Sequence, residues 1–244
     1  MSEWAAKRFW TAVDVVPAAE GYGVRLDERP LTTPRKAPLV VPTRELGEAV
    51  AAEWEAQEGR IRPETMPMTR AANTAIDNVA QNRTEVAAII AQYGESDLLC
   101  YRAPHPPGLR AREAAAWDPL LDWAAAALAA RLVAVEGVSF VPQPEDSLAA
   151  LRERVGRFDP FGLTGLHDLV ALSGSLVIGL AAAERARPLE TLWEAACVDE
   201  NWQIEHWGRD CEAEAHSAQR RQAFFDAARF LAMSGGAVQG NPVS

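Results

Sequence analysis

The chain has 244 residues, 48% apolar and 24% charged, which excludes a collagen-like, wholly disordered or coiled-coil-only protein and leaves one large globular domain or two small ones. Its 24 Lys+Arg against 34 Asp+Glu give a net charge of −10, and no local basic stripe offsets it, so a phosphate-backbone binder is excluded and no nucleic-acid partner is expected. Three widely separated cysteines, Cys100, Cys197 and Cys211, argue against a disulfide framework and suit a reducing compartment.

In chain order, the first ten residues hold no apolar run, which predicts the absence of a secretory signal. Residues 8–16 and 22–26 read as strands, separated by a turn over 17–21; a second turn covers 27–30, and the proline-bounded run 38–42 reads as a short strand. Thr43 reads as an N-cap, and Leu46, Ala49, Val50, Glu53, Trp54 and Gln57 follow at helical spacing. This part is expected to form a small antiparallel sheet with a helix packed on it. Trp10 and Trp54 are expected to be structural.

Composition shifts near 65–75, and an Ala/Leu-rich text with a period of 3.6 follows. Helices are expected over 69–81, 83–93, 110–133, 147–158, 165–184, 188–207 and 213–233. The fold class is therefore α+β: an N-terminal α+β domain over 1–70, a larger all-helical domain over 71–234, and a disordered Gly-rich tail over 235–244. The longest apolar stretch, 166–183, is interrupted by His167, Asp168, Ser173, Gly174 and Ser175. It falls short of the roughly 20 apolar residues of a bilayer span, so it reads as a core helix and no membrane insertion is expected.

No Walker-type phosphate loop, dinucleotide fingerprint or nucleophile elbow occurs, and the only lysines are Lys7 and Lys36. Ser175 lies in an apolar helical run, where small residues serve close helix packing rather than nucleophilic chemistry. Cys197, His206, Cys211 and His216 are the strongest candidate metal set. On one continuous helix they project in diverging directions, so convergence on zinc needs a break at Gly208 and no metal is expected. His105 in a proline loop and His167 beside Asp168 read as surface or capping residues. No cofactor is expected.

One carboxylate stands out. On a continuous helix through 188–207, Leu189, Trp193, Ala196, Cys197, Ile204 and Trp207 share one apolar stripe, and Glu200 falls at its centre. Asp199 falls at the edge, Glu205 toward solvent, and Trp202 opposite. An unpaired carboxylate on an apolar face costs several kcal/mol or is driven neutral. Three readings satisfy that constraint. Glu200 pairs with an arginine or backbone donors inside the fold; it anchors a partner's basic or N–H group on an open face; or it serves catalysis. Eight tryptophans, Trp202 and Trp207 among them, suit both cores and interfaces.

In this segment, Asp199-Glu200-Asn201-Trp202-Gln203-Ile204-Glu205-His206-Trp207-Gly208 resembles the C-terminal signature of the mitochondrial and α-proteobacterial F1-ATP synthase assembly chaperones that bind the F1 α subunit. Other stretches fit in the same order: 7–10, 26–34, 52–54, 66–77, 97–103, 117–121 and 175–181. Together they cover the chain from residue 7 to about 210. Glu28 and Thr32 stand where the family pattern has Gly and Lys in the 26–34 turn.

The resemblance implies an ATP-independent, non-enzymatic chaperone that shields the β-contacting surface of unassembled α subunit; a monomer is expected. It implies a small α+β domain before a helical one and, with no presequence evident, a bacterial cytoplasmic member rather than a mitochondrial one. It carries the family's functional carboxylate to Glu200 or its neighbour Asp199, and its sensitive tryptophan to Trp54. Partner contacts are then expected from Glu200, Asp199, Gln203, Trp202 and Trp207. The opposing class is an enzyme using Glu200, paired with Asp199 or Asp210, as general acid and base on a small molecule. A deep pocket with convergent polar groups favours the enzyme, and an open groove favours the chaperone.

Overall fold

The structure, a computed structural model, describes residues 7–208 and 211–236, with the side chains of 211–213 excepted. The contacts divide it into two compact units. The first comprises residues 7–83, Asp159–Gly165 and 229–236.

In the first unit, β1 (Val13–Ala18) and β2 (Gly21–Leu26) form an antiparallel hairpin, with Val13 opposite Leu26 and Ala18 opposite Gly21. β2 also pairs antiparallel with β3 (Arg29–Pro30) and β4 (Val40–Val41). The residues before Val13, expected as strand, leave the sheet because Arg8 ties them elsewhere. Its guanidinium donates to the Glu55 carbonyl at 2.6 Å and the Gln57 carbonyl at 2.9 Å, and pairs with the Glu55 carboxylate.

α1 (Arg44–Glu55) begins at Thr43, whose hydroxyl oxygen accepts from Leu46 N–H at 3.2 Å, the cap read from the sequence. Its apolar face, Leu46, Ala49 and Val50, closes over Val24, Leu26, Leu39 and Val41 of the sheet. Trp10 is 3% exposed and meets Trp54 edge-to-face at 5.2 Å. Glu53 then receives Met68 N–H, Thr69 N–H and the Thr69 hydroxyl, so it caps α2 (Pro67–Thr74). Phe161 and Phe230, far along the chain, stack at 6.2 Å beside this core, and Phe230 is a buried member of it.

The second unit comprises Thr84–Phe158 and Leu166–Ala228 and is helical apart from a two-residue parallel pair, β5 (Tyr101–Arg102) with β6 (Val135–Glu136). Its helices are α3 (Arg83–Gln92), α4 (Pro107–Ala127), α5 (Glu145–Gly156), α6 (Pro160–Ser173), α7 (Leu176–Ala183), α8 (Leu189–Ala196), α9 (Val198–Trp207) and α10 (Cys211–Ser234); α3, α6 and α10 run on into residues of the first unit. α7 is buried along its whole length. Trp117 on α4 is 1% exposed and donates its indole N–H to the Ala195 carbonyl at 2.7 Å. Trp193 of α8 packs on Phe224 of α10 at 5.4 Å. Among the described residues no helix is long and apolar enough to cross a membrane. The small sheet at the N-terminus followed by helices is the α+β arrangement that the sequence predicts.

Two expected helices are broken. The run 165–184 divides at Gly174, which adopts φ +72, and Ser175 restarts the chain as an N-cap for α7 by accepting from Ile178 N–H. Periodicity misses the break because α7 is apolar all round and α6 is polar only at His167, Asp168 and a few small hydroxyl residues. The run 188–207 divides at Cys197, whose φ of −106 and ψ of 15 end α8 and open α9. The single stripe from Leu189 to Trp207 therefore does not exist. Leu192, Trp193 and Ala195 of α8 are buried, while α9 contains no buried residue.

α6 and α7 approach closely at Gly179, where an added Cβ would lie 2.5 Å from Val170 Cγ2. Gly179→Ala is expected to destabilise the protein by about 1–3 kcal/mol through overpacking. Urea denaturation measures it, and an unchanged midpoint would refute the contact.

Candidate functional site

α9 has two faces. At about 100° per residue, Asp199, Trp202, Glu205 and His206 share one arc and Glu200, Gln203, Ile204 and Trp207 the other. The first arc lies on α4. An added Cβ on Gly108 would come within 2.8 Å of Trp202 Cη2, so this helix start passes directly under the indole. The Arg112 guanidinium lies 4.8 Å over the Trp202 ring and forms a forked pair with Glu205, at 2.8 and 2.7 Å. That pair holds the Glu205 carboxyl below its ordinary range. Glu205, exposed as expected, is also an interhelix anchor, and Trp202 is half-buried. His206 stacks on Trp202 at 4.1 Å with Nδ1 2.9 Å from the Trp202 carbonyl.

The second arc opens onto a groove of about 800 Å³. α9 supplies Glu200, Gln203, Ile204 and Trp207, with Trp202 and His206 at the edge; Pro106 and Leu109 close one side, and His216, Ser217 and Arg220 of α10 another. Gly208, at φ +94, ends α9 and keeps Trp207 at the rim, where its indole is 88% exposed. An exposed tryptophan on a mostly apolar groove is a large area left open to water, which marks interaction surfaces.

Glu200 is neither sealed nor free. Its Oε1 accepts from Arg220 Nη1 at 2.5 Å, and its side chain remains 43% exposed against 27% for the arginine. Arg220 is further held by the Leu172 carbonyl at 3.1 Å and lies 5.5 Å over the Trp193 ring. Glu200 Oε2 has no partner among the described residues. The pair is neutral as a whole, yet its outward part is the carboxylate. The surface presented is a hydrogen-bond acceptor set in apolar walls. The arginine partner of the first reading is present, and the face beside the carboxylate is open.

Asp199 turns the other way. It lies against Glu113 of α4, a carboxyl 1% exposed whose Oε2 accepts from Ala103 N–H at 2.8 Å. Burial chiefly, and the Asp199 carboxylate beside it, push the Glu113 carboxyl above its ordinary range. The catalytic pairing of Glu200 with Asp199 is not formed, because adjacent residues on a helix diverge. Asp210, the alternative partner, lies outside the described residues.

The candidate metal set is not brought together in what is described. Cys197 is buried, and burial holds its thiol up at about 11, so it stays a neutral thiol and a poor ligand. His206 and His216 line the groove, and the Cys211 side chain is outside the described residues. Among the described residues no cluster of acidic, histidine and cysteine side chains suits a metal ion.

Sequence reasoning missed Arg220, Arg112 and Glu113. Arg220 and Arg112 are remote in the chain and carry no local signal. Glu113 did carry one: it stands in the helical series Glu113, Trp117, Leu120, Ala124, all buried, and is a carboxylate in an apolar stripe as much as Glu200.

Comparison with known proteins agrees with this architecture. Residues 7–125 match the ATP12 chaperone protein family. The Atp12 structure of Paracoccus denitrificans is 48% identical, with a TM-score of 0.91 over 95% of this chain and 100% of that one. An aspartate-to-lysine variant of the same Paracoccus protein, also 48% identical, superposes with a TM-score of 0.92 over 96% of this chain and all of the other. A protein of Agrobacterium tumefaciens described as a chaperone is 41% identical, with a TM-score of 0.90 over 93% of this chain and 85% of that one. With this identity over nearly the whole length, the chain belongs to the ATP12 chaperone family, whose role is in F1-ATPase assembly.

Proposed function

We propose that this chain is an ATP-independent, non-enzymatic chaperone that binds the unassembled F1 α subunit as a monomer and shields the surface that later meets the β subunit. The α9–α10 groove is the docking face. Glu200 and Gln203 supply polar contacts, Trp207 the apolar anchor and Trp202 a wall, while Asp199 acts behind the face. The bacterial relatives favour the cytoplasm as its compartment.

The observation that carries this reading is a half-exposed carboxylate with one oxygen unengaged among the described residues, set in an open apolar groove beside an 88% exposed tryptophan. Such a face takes a polypeptide segment that offers an apolar side chain next to an N–H or cationic donor. Binding must be moderate, since the β subunit has to displace the chaperone.

The test is a pull-down against separately expressed α and β subunits. The chain is expected to retain α, and not β or assembled F1. Trp207→Ala, at an exposed position, should leave stability within about 0.5 kcal/mol yet weaken α capture about tenfold or more. No retention of free α, or stable binding to assembled F1, refutes the proposal; unchanged capture by Trp207→Ala removes the groove from it.

A further inference from the structure

α9 carries one face of the groove and is held to the helical unit mainly by α4. Its seat has three parts in a row: Trp202 on Gly108 and Arg112, Glu205 on Arg112, and Asp199 on Glu113. The first two are ordinary packing and an exposed ion pair. The third brings two acids together, with Glu113 and one oxygen of the half-buried Asp199 shut off from water.

A buried carboxyl–carboxyl contact is attractive only when one member carries a proton; two ionised carboxylates at hydrogen-bond distance repel. Here Glu113 is 1% exposed, and Asp199 Oδ1 is buried with no hydrogen-bond donor among the described residues. A basic side chain stands close. Arg102 of β5, 7% exposed, gives Nη2 to Asp118 at 2.7 Å and lies 5.0 Å over Trp117, but its Nε and Nη1 are buried without a partner among the described residues. The neighbouring charges are committed elsewhere: Arg112 to Glu205, Arg220 to Glu200, and Asp97 to the N–H groups of Leu99 and Val177. Cys100 is a neutral thiol, held up at about 12 by burial.

We infer that Glu113 and Asp199 are positioning residues for the groove: a single shared proton seats α9 on α4, and its loss releases the helix that presents Glu200. The two carboxylates of the Asp199-Glu200 pair thereby have separate tasks, one facing inward to hold the helix and one outward to meet the partner. This assignment of regulation rests on the groove being the binding face.

The direction of the effect follows from the site. Glu113 binds its proton more tightly in the folded protein than in the unfolded chain, so its contribution is complete below the ordinary glutamate range and is lost as pH rises through the raised folded value. Proton loss leaves two negative charges facing one another with only Arg102 near. Glu113 is fixed by Ala103 N–H, so α9 is the part that moves.

Hydrogen exchange on the full unliganded chain tests this without any partner. Between about pH 5.5 and about 8.5, with rates corrected for intrinsic exchange, α9 amides are expected to lose roughly tenfold more protection than those of α7. In Glu113→Gln the amide supplies the missing donor permanently, and the pH dependence of α9 should vanish. Asp199→Asn supplies the same donor from the other side and is expected to behave alike, which keeps the test available if the first variant does not fold. Parallel pH dependence of α9 and α7 in the wild type, or wild-type pH dependence in a folded variant, overturns the inference. A wild-type α9 that responds as expected while the protein captures no α subunit at low pH sinks the docking proposal alone.

Discussion

A Glu200→Lys protein is expected to fold and to lose α-subunit capture. The stability part is small because the Glu200–Arg220 pair is partly in water. An ion pair of that exposure contributes about 1 kcal/mol or less once screening and side-chain entropy are counted. Arg220 is not stranded by the change, since it keeps the Leu172 carbonyl and the Trp193 face, and the new ammonium can extend into the open groove. For a chain of this length the melting temperature should fall by about 2–4 °C. The binding part is large. A charge-assisted acceptor becomes a donor of opposite charge beside an existing guanidinium, and reversing one member of a desolvated polar contact costs about 2–5 kcal/mol, or a 30-fold to several-thousand-fold loss of affinity by that estimate. Glu200→Gln keeps an acceptor without the charge and should lose roughly tenfold. Circular dichroism melts and titration with isolated α subunit measure the two parts separately. An unfolded Glu200→Lys would show that the carboxylate is structural and that the groove owes nothing to its charge.

Trp54→Arg acts on the other unit and through stability alone. The indole lies edge-on to the buried Trp10 ring, on the core formed by α1 and the sheet, and its own N–H has no partner among the described residues to lose. Replacement removes a large aromatic contact and brings a guanidinium to an apolar wall. Partial exposure lets part of the charge reach water, so the expected cost is about 3 kcal/mol rather than the upper end for a sealed site. The melting temperature should fall by roughly 6–12 °C, with Trp54→Phe falling less than half as far. A soluble protein with an unchanged melt would refute the structural role of Trp54.

Much of the architecture was legible in local pattern. The β1–β2 hairpin follows from alternation and its turn, α1 from the Thr43 cap and a periodic apolar face, and α5 and α10 from their spacing. The breaks at Gly174 and Cys197 were not, for different reasons. The first lies between a mostly apolar α6 and a wholly apolar α7, where the pattern suits one helix as well as two. The second occurs at a residue with no breaking tendency of its own, where α8 must enter the core and α9 must remain outside it.

The candidate site divides in the same way. Glu200 stood out in the sequence because a carboxylate amid apolar residues has to be explained, and Trp207 because an aromatic shared its face. Their common face outlasted the loss of the long stripe, since residues within α9 keep their relative angles whatever precedes the helix. The sequence by itself also carried the family likeness, the acidic balance and the division between a sheet-bearing part and a helical part. Only the tertiary structure decided that Arg220 holds Glu200 without sealing it, that Asp199 faces Glu113, and that Phe161 and Phe230 stack beside the sheet's core. Those are contacts between residues far apart in the chain. Local periodicity sets which way a side chain leaves its own helix, and the packing of distant elements sets what it meets there.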